Sequence, residues 1–113
     1  MGLKEYLFGY SAEDLACKFL RESGYEILHR NFHSRFGEID IIARRHGTYH
    51  FIEVKATSKQ YDIEYKITPS KMSKIIKTID YFVTREQIDI IYQIDAIIIK
   101  NRTEVNFIEN ITQ

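Results

Sequence analysis

Two short segments constrain this chain more than any other feature: residues 37–43, Gly-Glu-Ile-Asp-Ile-Ile-Ala, and residues 49–56, Tyr-His-Phe-Ile-Glu-Val-Lys-Ala. Both are rich in the β-branched and aromatic residues that suit a pleated, half-buried surface. Yet each carries an acid in its middle, Asp40 and Glu53. A carboxylate among apolar neighbours is costly unless something offsets its charge. Residues 45–48, Arg-His-Gly-Thr, make a short polar loop, so the pair reads as a hairpin. Pairing Arg44 with Tyr49 across a four-residue loop sets Ile41 opposite Ile52, Asp40 opposite Glu53 and Ile39 opposite Val54. Facing residues share one side of a sheet, with Cβ atoms ~5 Å apart. Lys55, two residues beyond Glu53, points the same way. The opposite side is then wholly apolar. A slip of one residue would set Ile52 or Val54 against Asp40 and send Asp40 to the wrong face.

Two carboxylates that close repel each other. Lys55 supplies one positive charge, and a divalent cation would supply more. Carboxylate oxygens with water suit Mg²⁺. Such a cation polarises a phosphoryl oxygen. Lys55 is placed to orient or help deprotonate an attacking water, or to balance charge developing on phosphate. The bland alternative is also open. Acid-x-Lys on a strand is commonly a solvated edge face, and the three residues would then be a salt-bridge group.

The rest of the chain frames this hairpin. Ala12, Leu15, Ala16, Phe19 and Leu20 recur at helical spacing, with Ser11 and Asp14 as a cap pair and Gly24 as terminator. Residues 25–32 read as a strand with imperfect alternation. Met72, Ile75, Ile76, Ile79, Phe82 and Val83 form the apolar stripe of a second helix, with Thr68 or Ser70 as cap and Pro69 in its first turn. Residues 88–100 contain Ala-Ile-Ile-Ile at 96–99 and read as a strand buried on both faces. Residues 104–111 alternate as a last strand. The order is helix, three strands, helix, one or two strands: an α/β sandwich, a mixed sheet flanked by helices.

At 113 residues the chain fits one domain, 1–113. Lys plus Arg and Asp plus Glu are both 16, so the net charge is zero, which disfavours a constitutive nucleic-acid coat protein but not an enzyme. The lone cysteine, Cys17, forms no internal disulfide and fits a reducing compartment. No secretory leader and no membrane-spanning run is evident, so a cytoplasmic protein is expected. Phosphate-loop, dinucleotide-binding and Gly-x-Ser-x-Gly motifs are absent.

Gly37-Glu38-Ile39-Asp40 followed by Phe51-Ile52-Glu53-Val54-Lys55 closely resembles the core motif of PD-(D/E)XK nucleases. The resemblance is strongest to the YraN-like bacterial proteins and extends to archaeal Holliday-junction resolvases. It runs over most of the chain, including residues 9–16 (Gly-Tyr-Ser-Ala-Glu-Asp-Leu-Ala), Gly24-Tyr25, Arg30-Asn31, Lys71 and Asp95. It implies a single restriction-endonuclease-like domain with a helix, three strands, helix, strand core. It implies that Asp40 and Glu53 bind Mg²⁺ or Mn²⁺ with the backbone carbonyl of Val54, that Lys55 is catalytic, and that Glu13 joins the site. For Glu13 the rival role is an exposed first-turn acid favoured by the helix dipole. Relatives often carry Arg soon after the Glu-Val-Lys lysine. Here Ala56-Thr57-Ser58-Lys59 follows, which moves that basic contact to Lys59. Gln93 stands where relatives tend to have Arg before the late Asp.

The expected activity is metal-dependent hydrolysis of DNA phosphodiester bonds, with branched DNA as a candidate substrate. A homodimer would suit two symmetric cuts. Lys71, Lys74 and Lys59 are the expected substrate contacts, although such lysines are more often a solvated face. The alternative is a non-catalytic nucleic-acid-binding or protein-interaction module on the same fold. His29 and His33 lack the further ligands of a zinc site, and His46 and His50 look ordinary. Tyr61 and Tyr65, after the active-site strand, serve packing or base stacking.

Overall fold

The structure, a computed structural model, describes residues 11–58 and 65–112. Gly9, Tyr10, Lys59 and Tyr61 lie outside the described residues.

Helix α1 (Ala12–Glu22) begins as its sequence predicts. The Ser11 side chain accepts from the Asp14 N–H, and Asp14 answers the Ser11 N–H, a complete capping box. It ends at Gly24, whose φ of 89° lets the Tyr25 N–H reach the Leu20 carbonyl. Three strands come next: β1 (Glu26–Ser34), β2 (Gly37–Arg45) and β3 (Thr48–Thr57). The β2–β3 register runs from Arg45↔Thr48 to Ile41↔Ile52, including the expected Arg44↔Tyr49. The loop is tighter than four residues, however. Arg45 and Thr48 pair, and His46 (φ 51°) and Gly47 (φ 79°) alone turn the chain, as a type I′ hairpin requires.

Helix α2 (Pro69–Glu86) is capped by Thr68, which accepts from the Lys71 N–H, with Pro69 in the first turn. It carries the chain over to β4 (Ile91–Lys100), which lies parallel to β3, and β5 (Glu104–Ile108) returns antiparallel. The result is one mixed sheet of order β1-β2-β3-β4-β5. Residues 88–90 fall outside β4, and β5 stops at Ile108 rather than 111.

The two helices cover opposite faces. Ala16, Cys17 and Leu20 of α1 pack on Ile41, Ala43, Ile52, Ile97 and Ile99. Ile75, Ile79 and Phe82 of α2 pack on Phe32, Ile39, Ile42, Phe51 and Ile94. Ile76, expected in the α2 stripe, is 39% exposed at its edge. No helix among the described residues is long and apolar enough to cross a membrane.

The first two strands share an irregularity. Residues two apart on a regular strand share a face. Yet Ile41 packs under α1 and Ile39 under α2. Arg30 likewise reaches the acids of α1 while Phe32 packs under α2. The expectation that Ile39 and Ile41 share one apolar side is therefore corrected. Arg30↔Ile41 and Phe32↔Ile39 are ladder pairs, so both strands change face together. The change occurs at Asn31, whose φ of 53° is left-handed, and at Asp40 beside it.

Candidate active site

Asp40 sits where β2 changes face, so neither apolar core fully covers it. The β2–β3 ladder stops one residue short, at Ile41↔Ile52. Beyond that point the Asp40 carboxylate takes the place of a backbone acceptor: the Val54 N–H donates to Oδ2 at 2.8 Å. An extended residue projects its carbonyl to the same side as its N–H. The Val54 carbonyl therefore faces the strip that holds Asp40.

Glu53 lies on the α2 side of β3, between Phe51 and Lys55, and is only 5% exposed. Its Oε2 is 2.8 Å from the Nζ of Lys71, which reaches in from the first turn of α2. Burial works against the charged form of Lys71. The hydrogen bond and charge of Glu53 outweigh it and hold the Lys71 pKa above the ordinary lysine value. Lys55 itself is exposed. Burial pushes the pKa of Asp40 above the usual carboxylate value. The Val54 hydrogen bond opposes this, and the charges of Glu53, Glu13 and Glu38 reinforce it. The ladder pair of Asp40 with Glu53 that the hairpin register predicts is not formed, because pairing ends at Ile41↔Ile52 and β2 changes face at Asp40; the Glu53 charge still acts on Asp40.

Glu13 is brought to the same strip from the other face. Its Oε1 accepts from Arg30 Nε at 2.7 Å and from Asn31 Nδ2 at 3.1 Å, while Asp14 takes Arg30 Nη2 at 2.8 Å. Glu13 is therefore more than a first-turn acid favoured by the helix dipole. It braces the face-switching residue of β1 and adds its charge at Asp40. Lys74 lies one turn beyond Lys71, exposed, with its Cβ against Gly37. It makes no ion pair with Asp40 or Glu53 among the described residues. Lys59 falls outside them.

Tyr65, expected to pack or to stack on bases, is half-buried. Burial raises its pKa, Lys71 lowers it, and the charges of Glu53 and Asp40 raise it further.

A second polar cluster lies on the α1 face near the hairpin turn. His50 is buried, and its Nδ1 is 2.6 Å from Oδ2 of the fully buried Asp95. The other Asp95 oxygen accepts from Gln93 and from the Asn110 N–H. His50 is therefore not the ordinary turn residue its position suggested. His29 packs edge-on to Phe32 and Phe82, as a structural histidine.

Among the described residues no three His, Cys, Asp or Glu side chains form a ready-made metal cage. What suits a hard divalent cation is the donor chemistry. Burial and the charges of Glu53, Glu13 and Glu38 disfavour ionised Asp40, and a hard divalent cation beside it would offset that penalty.

Comparison with known proteins places the chain. The model of the uncharacterised protein family UPF0102 matches residues 12–109. A UPF0102 protein of Campylobacter hominis is 58% identical over 112 residues, covering 99% of both chains. One from Campylobacter jejuni is 50% identical with the same coverage. Among solved structures, Hjc, a Holliday junction resolvase of Archaeoglobus fulgidus, superimposes with a TM-score of 0.58 at 18% identity, over 86% of this chain and 72% of that one. That likeness is one of fold.

Proposed function

The chain belongs to the uncharacterised protein family UPF0102, and from that premise, with a resolvase-like fold and the strip around Asp40, we propose that it hydrolyses DNA phosphodiester bonds with Mg²⁺ or Mn²⁺. The observation that carries this reading is the Asp40 carboxylate, hydrogen-bonded by the N–H of Val54, the residue between buried Glu53 and Lys55 on β3. Asp40, Glu53 and the Val54 carbonyl hold the cation, and Glu13 supports them. The bound cation supplies a Lewis acid for a phosphoryl oxygen. Lys55 presents its ammonium to the reacting phosphate, where it orients the attacking water and offsets developing charge. Lys71 neutralises Glu53 until the cation binds, then turns its charge to the substrate. Lys74 and Lys59 serve the flanking phosphates. The protein acts in the cytoplasm, and branched DNA is the substrate class that the solved relative suggests. Two copies would make the paired cuts that such a substrate needs.

A second reading has one observation in its favour. Lys71 already satisfies Glu53 without a cation, as it would in a binding module that does no chemistry. Cleavage of labelled single-stranded, duplex, flap and four-way-junction DNA decides between them. It is run with Mg²⁺, with Mn²⁺ and with chelator, beside Asp40→Ala. Hydrolysis predicts metal-dependent cutting that falls on the order of 100-fold or more in the variant. Correctly folded protein that cuts none of the four leaves the binding module.

A further inference from the structure

The β1–β2 turn carries Arg35 and Phe36 out over the middle of α2. The Phe36 ring is half-exposed and flanked by two cations, the Arg35 guanidinium at 4.9 Å and the Lys77 ammonium at 5.9 Å. Beside it opens a concavity of about 480 Å³, lined by Phe36, Lys77, Asp80, Tyr81, Thr84 and Arg85. Tyr81 is 40% exposed there. Arg85 caps the ring of Phe32 beneath it.

A partly exposed aromatic ring beside two cations is a poor core element. Packing alone would bury the ring, and solubility alone would not set Arg35 and Lys77 against it with Arg85 on the wall of the concavity. This combination suits a flat, π-faced group joined to an anion. A nucleotide is that group, since its base stacks on an aromatic face and its phosphate takes a lysine or arginine. The one acid at the wall, Asp80, offers an acceptor to an exocyclic amino group. Lys71, Lys74 and Lys77 succeed each other along α2, so a strand leaving Glu53 is led to this concavity. Lys71 and Lys77 are ~9 Å apart along the helix axis, on the order of two to three nucleotide steps.

We propose that the concavity between Phe36 and Tyr81 stacks an unpaired base of the nucleic-acid strand two to three nucleotides from the cleavage point. Its place beside the cut rests on the phosphodiesterase reading, whereas its affinity for a base does not. A paired base offers no free face, so the subsite selects DNA with unpaired nucleotides next to the cut over continuous duplex.

Binding measured in chelator separates the two claims, because no cutting occurs there. Fluorescence anisotropy with a single-stranded oligonucleotide and with its duplex is compared for wild type, Phe36→Ala and Phe36→Trp. Circular dichroism checks that each variant folds. A 2-aminopurine in the single strand reads stacking directly. Phe36→Ala is expected to weaken single-strand binding about 5- to 150-fold, with duplex binding within a factor of about two. Phe36→Trp restores it, and wild type quenches 2-aminopurine where Phe36→Ala does not. Equal single-strand affinity for wild type and Phe36→Ala overturns the subsite, as does wild type that binds no oligonucleotide. Metal-dependent cutting alongside that equality removes the subsite and leaves the hydrolase. Quenching by wild type in a protein that never cuts keeps the subsite and removes the hydrolase.

Discussion

Asp40 carries two opposed demands. Its carboxylate anchors the Val54 N–H, yet burial and the charges of Glu53, Glu13 and Glu38 disfavour its ionised form. Its folded pKa is therefore raised above the unfolded value of about 4. For a raised acid, the folded state binds more protons than the unfolded one within the window between the two pKa values. Stability then falls as pH rises through that window, and the penalty is fully present above it. Asp40→Asn keeps an oxygen for Val54 and removes the charge. It should raise the denaturant midpoint at pH 7, with the gain vanishing below about pH 4. Urea melts at the two pH values check this. Nuclease activity should fall on acidification at a pH above the ordinary carboxylate range, because a protonated Asp40 holds a cation poorly. A pH–rate profile that stays flat down to about pH 4 would contradict the metal role.

Among the elements, β1 and the start of α2 set the site's geometry. Asn31 holds a left-handed backbone and hands its amide to Glu13. A β-branched residue there should cost about 1–2 kcal/mol, because its Cβ meets the backbone in that conformation. Asn31→Val is thus expected to melt earlier and to lose cutting with the displaced Asp40, while Asn31→Gly keeps the backbone and most of the stability. Thr68 caps α2 through the N–H of Lys71, the residue whose side chain pairs with Glu53. Thr68→Ala should cost about 1 kcal/mol. It should also loosen oligonucleotide binding by freeing the turn that aims Lys71, seen as a weaker anisotropy change at unchanged helix content.

For the molecule as a whole, the two ends of the sheet do different jobs. The acids and lysines gather where β2 and β3 part. At the other end His50 and Asp95 tie β3 to β4, and Asp95 also holds the Asn110 N–H after β5. Removing one member leaves a buried polar group without its partner. Asp95→Ala should therefore lower stability by about 3 kcal/mol, read from the urea midpoint, without altering the acids of the site. The net charge is zero, so attraction to DNA is local rather than general. With Arg35, Lys55, Lys59, Lys71, Lys74 and Lys77 on phosphates, the log–log salt dependence of binding should have a slope of about −4 to −5. A slope near about −8 would mean that most of the basic surface takes part.

The hairpin, its register as far as Ile41↔Ile52 and the helix caps were legible in the amino-acid sequence, and so were the α/β order and the family. All of these rest on interactions within a few residues or between adjacent strands: Ser11 with Asp14, Thr68 with Lys71, Arg44 opposite Tyr49. Alternation of apolar residues also told which helix stripe faces the sheet. Tertiary structure alone decided the face change at Asn31 and Asp40. Two strands had to shift phase together, and a pattern read along one strand cannot show that. It also decided that Lys71 comes to Glu53, that Ile76 lies at an edge, and that His50 is buried on Asp95. Those pairs are separated by many residues, and their contacts form only when α2 crosses from β3 to β4 and folds the chain back over the sheet.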